Sequence, residues 1–206
     1  MNQQEANKIH WSENVIIADG DYIDYVAFQL SIQFERMLGR RIPKADLSKW
    51  IVNIALDGRM REGNHETQVV LLHEQQNTAL QNFVPAEYEK ELNAQAFKDE
   101  KLGEFIINSI ATGEEISQKD DVMTDLLLML TQHDEVKRIM VIPNGEEGES
   151  YNRVRAALRN ADDEKQRITV FAMQPMQGGN FKQEILGYSL MNALGIKADE
   201  IPGNNY

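Results

Sequence analysis

The residues of this chain with chemistry to offer are acidic and amide side chains placed just after short apolar runs. Val15 to Ala18 leads into Asp19-Gly20-Asp21, and Arg138 to Ile142 leads into Pro143-Asn144-Gly145-Glu146-Glu147. Two further runs end at His73-Glu74 and near Gln174. In an open parallel sheet the carboxyl ends of the strands face one crevice, so residues far apart in sequence can meet there. Converging carboxylates, with Asn144 and Glu146 beside them, would form an oxygen-rich site for Mg²⁺ or Mn²⁺, hard cations that prefer oxygen ligands. Asp121 and Asp125 lie one helical turn apart and project from one face of a helix, where they could join Asp19.

Each of these residues also has a plainer reading. Asp-Gly is common turn chemistry, and either Asp19 or Asp21 can cap a helix. A carboxylate such as Asp121, near a helix N-terminus, gains about 0.3–1 kcal/mol from the macrodipole without any catalytic purpose. His10, His65, His73 and His133 are scattered rather than spaced as ligands, and only His73 falls at a strand end. Gly178-Gly179-Asn180 before the last helical pattern reads as an anion-binding helix start or as a turn with an N-cap. A Gly-x-Gly-x-x-Gly turn after the first strand, a Walker loop and a Gly-x-Ser-x-Gly elbow are all absent.

The elements that must hold these groups follow from hydrophobic periodicity. Five strands are predicted, at Val15 to Ala18, Thr67 to His73, Phe105 to Ala111, Arg138 to Ile142 and Arg167 to Met173. Helical patterns between them predict an α/β fold with a central, mostly parallel sheet and helices on both faces. The first helix carries Ile23, Val26, Ala27, Leu30 and Phe34 at helical spacing and stops at Gly39. A second follows Pro43, with Leu47, Trp50, Ile51, Ile54 and Ala55 on one face, and breaks at Gly58. Pro85 to Lys101 reads as an acidic helix with a thin stripe of Tyr88, Leu92 and Phe97. Ser117 is the expected cap of the next helix, buried through Val122, Met123, Leu126, Leu127, Met129 and Leu130. Tyr151, Val154, Ala157 and Leu158 mark another, and Phe181 to Leu194 the last. That last segment is apolar on more than one face, which fits either a homo-oligomer interface or a helix covered by its own chain.

The 206 residues, without a repeat or a Pro/Ser-rich linker, read as one α/β domain over 1–206 with polar ends at 1–12 and 197–206. Absence of cysteine excludes disulfides, zinc ribbons and thiol catalysis, and fits a reducing compartment, so the expected location is the cytoplasm. The polar start, Met1 to Asn14, lacks an apolar h-region, and no run approaches a bilayer span, so neither secretion nor membrane insertion is expected. A formal charge of −12 argues against broad nucleic-acid binding, which depends on Lys and Arg neutralising phosphates. Two local basic surfaces remain possible RNA contacts, one at Arg36, Arg40 and Arg41 and one at Arg153, Arg155 and Arg159, although each also reads as a solvated face.

The order Ile16-Ile17-Ala18-Asp19-Gly20-Asp21, then Lys119-Asp120-Asp121-Val122 with Asp125 downstream, resembles the NYN branch of PIN-like nucleases. The resemblance implies a three-layer Rossmann-like sheet, clustered carboxylates binding Mg²⁺ or Mn²⁺, and hydrolysis of RNA phosphodiesters. On it, Asp19 and Asp21 match the acids of the first motif, Asp121 the acid at the helix start, and Asp125 the acid one turn later. Asp19 and Asp121 would be catalytic, and Asp19, Asp21, Asp121, Asp125, Asn144 and Glu146 would hold the metal. Tyr22 departs from the motif's Asn, and Pro143 to Glu147 replace its acid-rich stretch after the fourth strand. The chain also looks similar overall to an uncharacterised bacterial family of Bacteroides-type organisms, which implies no activity. A second expectation, from another class, is a noncatalytic oligomeric protein on the same fold, binding partners through the last helix or its acidic surface.

Overall fold

The structure is a computed structural model that describes residues 10–113, 118–162 and 164–201. Strand β1 (Asn14–Asp19) is buried along its whole length, as a continuous Val-Ile-Ile-Ala run at a sheet centre demands. It feeds directly into helix α1 (Gly20–Leu38), whose N-cap is Asp19, accepting from the Tyr22 N–H, and whose C-cap is the left-handed Gly39. Only glycine fits at the turn itself, because a Cβ on Gly20 would lie 2.5 Å from the Tyr88 hydroxyl and 3.1 Å from the Leu72 carbonyl. The two-residue strand β2 (Ala45–Asp46) precedes α2 (Leu47–Asp57), capped by Asp46 onto the Lys49 N–H. Then come β3 (His65–Glu74), β4 (Phe83–Val84), β5 (Gln95–Asp99) and β6 (Gly103–Thr112). Helix α3 (Lys119–Leu130), β7 (Arg138–Ile142), α4 (Gly148–Ala157), β8 (Arg167–Ala172), β9 (Lys182–Ile185) and α5 (Leu186–Ala193) complete the order.

Seven strands form the main sheet in the order β5-β6-β3-β1-β7-β8-β9, parallel except for the β5–β6 pair. Strands β2 and β4 make a separate two-stranded pair. Taken in chain order, the six parallel strands are arranged 3-2-1-4-5-6, a doubly wound order whose direction reverses between β1 and β7. Alternation along β1 assigns the two faces. Ile16 and Ala18 pack with α1, α2 and α5, whereas Val15 and Ile17 pack with α3 and α4. No described helix is long and apolar enough to cross a membrane.

The five expected strands are present, and the sheet has two more than expected, at segments read as helical. The thin stripe over 85–101 belongs to two short pieces. Tyr88 and Leu92 are buried in a single π-type turn at Tyr88–Leu92, and the chain then crosses Ala94 at positive φ into β5. Phe97 is a cross-strand residue, paired with Phe105 and stacked on it at 5.0 Å between ring centroids. The last predicted helix likewise loses its start to β9, which extends the sheet beyond β8, and Phe181 packs edge-on against Tyr151 instead. Leu186, Leu190, Ala193 and Leu194 then enter the chain's own core, leaving Tyr188 as the large apolar side chain that α5 exposes. The Ser117 cap lies outside the described residues, and α3 starts after Gln118, which makes no side-chain cap bond. The described parts of the polar ends are tied down: Trp11 is buried, and Arg40 grips both carboxylate oxygens of Glu200 at 2.9 and 2.8 Å.

The β5–β6 turn closes at Gly103, where φ is +91° and an added Cβ would meet the His65 carbonyl oxygen at 2.2 Å. Gly103→Ala therefore combines backbone strain with a main-chain clash, and it should lower the unfolding free energy by about 3 kcal/mol. The change is read as a fall in the urea midpoint at unchanged slope.

Candidate functional site

The reversal of strand order leaves a crevice at the carboxyl ends of β1 and β7, and Asp19 stands at its base, 2% exposed. Its position follows from being both the last residue of a buried strand and the cap of α1. Asp21, in the first turn of α1, accepts from the Glu74 N–H at 2.8 Å and from the Asn77 side chain at 2.7 Å. Lys119 opens α3 and reaches between them: its Nζ lies 2.9 Å from Asp19 Oδ1, 2.7 Å from Asp21 Oδ2 and 4.0 Å from Glu74 Oε1. Three elements from different parts of the chain are thus joined by one ammonium group.

Burial is the largest single influence on both Asp19 and Lys119. It pushes the Asp19 carboxyl above its ordinary range, against the opposing pull of Lys119 and the Tyr22 N–H. Burial also works against the charge on Lys119, but Asp19 and Asp21 outweigh it and hold the ammonium above its ordinary value. Lys119 is therefore a fixed cation at neutral pH. The Tyr22 phenol, pushed up by burial and by Glu146, stays protonated and has no hydrogen-bond partner among the described residues.

Beside Asp19 and Lys119 the crevice forms a cleft of about 270 Å³, also lined by Glu74, Asp120, Asn144, Ser150 and Arg153. Asn144 and Glu146 come from the β7–α4 connection, where the Asn144 side chain accepts from the Glu146 N–H at 3.3 Å. Both also line the neighbouring hollow with Asp21, Tyr22 and Lys119. Of the six residues expected to bind metal, Asn144 lines one hollow with Asp19 and the neighbouring one with Asp21 and Glu146. Asp121 instead forms an ion pair with Arg153 on α4, and Asp125 is exposed further along α3. Asp120, directly before Asp121, turns inward and accepts from the buried Ser150 hydroxyl at 2.7 Å.

Reasoning on spacing alone missed the role of Lys119 and the partnership of Glu74 and Asn77 with Asp21. The signal for Lys119 was present, since it begins the Lys119-Asp120-Asp121 stretch, but a lysine at a helix start also reads as a solvated residue. His73 is buried, stacked on Tyr88 with ring centroids 3.7 Å apart, and directs Nδ1 to the Glu74 carbonyl, apart from the Asp19 trio. Gly178, Gly179 and Asn180 precede β9, so no helix N-terminus stands there to receive an anion. The basic groups are partly engaged, Arg40 by Glu200 and Arg153 by Asp121.

Whether a divalent cation fits is decided by the donor set. Asp19 Oδ1 serves both Tyr22 N and Lys119, Asp21 Oδ2 serves both Glu74 N and Lys119, and Asp21 Oδ1 is taken by Asn77. Among the described residues no group of three or more His, Asp and Glu side chains is placed to hold a metal ion. The arrangement does not fit Mg²⁺ or Mn²⁺ while Lys119 keeps its place.

Residues 8–201 match the model of a family of unknown function (DUF6621), and the chain belongs to that family. Searches of curated proteins and of solved structures gave no match.

Removing the ammonium leaves a buried carboxylate without its counter-charge, a loss of about 3–5 kcal/mol for a broken buried pair. Lys119→Met should show a loss of that size at neutral pH in urea denaturation. A buried acid with a raised pKa destabilises only while ionised, so the deficit should shrink as pH falls through the Asp19 pKa. Adding Asp19→Asn to Lys119→Met should recover part of it. In the unmutated chain the Lys119 contribution is complete below the ordinary lysine value of 10.5 and is lost as pH rises through the higher folded value.

Proposed function

We propose that this chain is a noncatalytic interaction protein on a PIN/NYN-like fold, in which Lys119 stands where that family's divalent cation is expected. The observation that carries the reading is the Lys119 Nζ, bonded at 2.9 and 2.7 Å to Asp19 and Asp21. An ammonium held between two acids gives the carboxylates the counter-charge that a metal would supply, without a coordinated water to activate. Because its pKa is raised, it is also unsuited to act as a base or nucleophile near neutral pH. The doubly wound strand order and the Asp-Gly-Asp turn after β1 support the fold relationship.

The partner surface in this reading is the acidic rim of the crevice rather than α5, whose Leu186, Leu190 and Ala193 are spent on the chain's own core and which exposes Tyr188 as its large apolar side chain. Glu74, Asp120, Glu146 and Glu147 face it with Arg153 as the rim cation. That balance favours a positively charged partner and opposes RNA, whose phosphates would meet carboxylates.

A second reading, an RNA phosphodiesterase dependent on Mg²⁺ or Mn²⁺, draws on one observation. If the Lys119 side chain swings out, Asp19, Asp21 and Glu74 face the same space. Isothermal titration with Mn²⁺ separates the two. No saturable binding and no cleavage of single-stranded RNA are expected of the wild-type chain. Saturable binding that disappears in Asp19→Asn would replace the noncatalytic reading with the nuclease.

A further inference from the structure

The end of the sheet opposite the Lys119 crevice gathers positive charge, in a chain whose formal charge is −12. Arg138 and Arg167 are the first residues of β7 and β8 and are partners in the parallel register of those strands. Their side chains therefore leave the sheet on the same face, from backbones about 4.8 Å apart. That face is the one α2 covers, because Met140 and Phe171, two and four residues further along, enter its core. Arg138 donates from Nη1 to the Gly58 carbonyl, at the end of α2, at 2.6 Å. The chain continues from there through Arg59 and Met60 to Arg61, and it is pinned at Met60, which is buried and whose N–H donates to the Ala55 carbonyl at 2.9 Å. Arg61 and Arg167 are exposed, and Arg138 is half-buried.

These three arginines are not balanced by the chain. Among the described residues, none of them lies within ion-pair distance of a carboxylate. The acids nearest to Arg61 in sequence point elsewhere, Glu62 to Lys101 at 3.0 Å and Glu66 to the Ser12 hydroxyl at 2.6 Å. Burial, and then repulsion by Arg167 and Arg61, push the Arg138 guanidinium below its ordinary value, while Glu13 opposes them. Three guanidinium groups set against one carboxylate leave two positive charges in excess. An anion shared among them relieves the repulsion, and the size of the excess selects its class. A phosphate monoester carries about −1.5 to −2 at neutral pH on three acceptor oxygens, which arginine forks bind in pairs. A phosphodiester brings a single charge and leaves half of the excess in place.

We propose that Arg61, Arg138 and Arg167 form a binding site for the terminal phosphate group of a small molecule. The strands are parallel, so this site at their amino ends is separated by the length of the sheet from the crevice at their carboxyl ends. It does not depend on whether that crevice is catalytic.

Glycerol 3-phosphate is the probe, titrated into the full chain at low ionic strength and followed by ¹H–¹⁵N spectra that include the arginine Nε–H signals. Dimethyl phosphate serves as the singly charged diester. Saturable shifts at Arg61, Arg138 and Arg167 are expected with the monoester, and the diester should bind at least about tenfold more weakly. Arg61→Gln and Arg167→Gln, both at exposed positions, should each weaken the monoester by about three- to tenfold without moving the urea midpoint appreciably. Affinity should also fall as pH drops through about 6, where the monoester takes up its second proton and the arginines stay charged. Absence of saturable shifts, equal affinity for dimethyl phosphate, or binding that survives both substitutions would overturn the proposal. Tighter binding of single-stranded RNA at the same three arginines would overturn the assignment to a small molecule. These outcomes are independent of the Mn²⁺ titration, which reports on the carboxyl-end crevice.

Discussion

One desolvated ammonium group joins the parts of this molecule that matter most. Asp19 ends the central strand, caps α1 and lies at the reversal of strand order, so its charge is buried by the same geometry that creates the crevice. A carboxylate in that place must be compensated, and local N–H groups supply only part of the compensation. Lys119 supplies the rest from a helix on the opposite face of the sheet, and in doing so ties the start of α3 to the start of α1. Asp120 turns toward Ser150, and Asp121 turns out to Arg153.

This arrangement separates what a doubly wound sheet offers from what a particular chain does with it. The fold brings the ends of β1, β3 and β7 together and would do so for many chemistries. The donors decide among them. Here both oxygens of Asp21 and one oxygen of Asp19 are bonded to the chain, so that these carboxylates and Lys119 form an internal ion network. Such a network contributes little net stability compared with an apolar core, but breaking any one member is costly. It holds α1, α3 and the end of β3 in a single relative position.

Polar bonding on the other side of Asp21 has the opposite effect on the surface. The 76–82 loop satisfies Asp21 and Asp24 through Asn77 and Asn82, and leaves Tyr25 and Phe28 uncovered. The same helix therefore presents a hydrogen-bonded acid row and an exposed aromatic pair to adjacent hollows, with Tyr25 bordering both.

Local pattern alone determined the five long strands, the α1 and α2 helices with their buried faces and the Asp19-Gly20 turn at the end of β1, since each rests on periodicity or on a strand end. Tertiary structure decided the rest. Tyr88, Leu92 and Phe97 look like a helical stripe in sequence, but the edge of the sheet needed a partner for β6, and the stacking of Phe97 on Phe105 drew that segment into β5. Lys182 to Ile185 were drawn into β9 at the other edge for the same reason, an unpaired row of backbone groups on β8. The pairing of Lys119 with Asp19 joins the start of α3 to the end of β1, far apart in the chain, and the choice between Asp120 and Asp121 for the inward position depends on how α3 meets α4. No spacing along the chain encodes these outcomes, because they arise where elements distant in sequence meet and their charges must be balanced away from water.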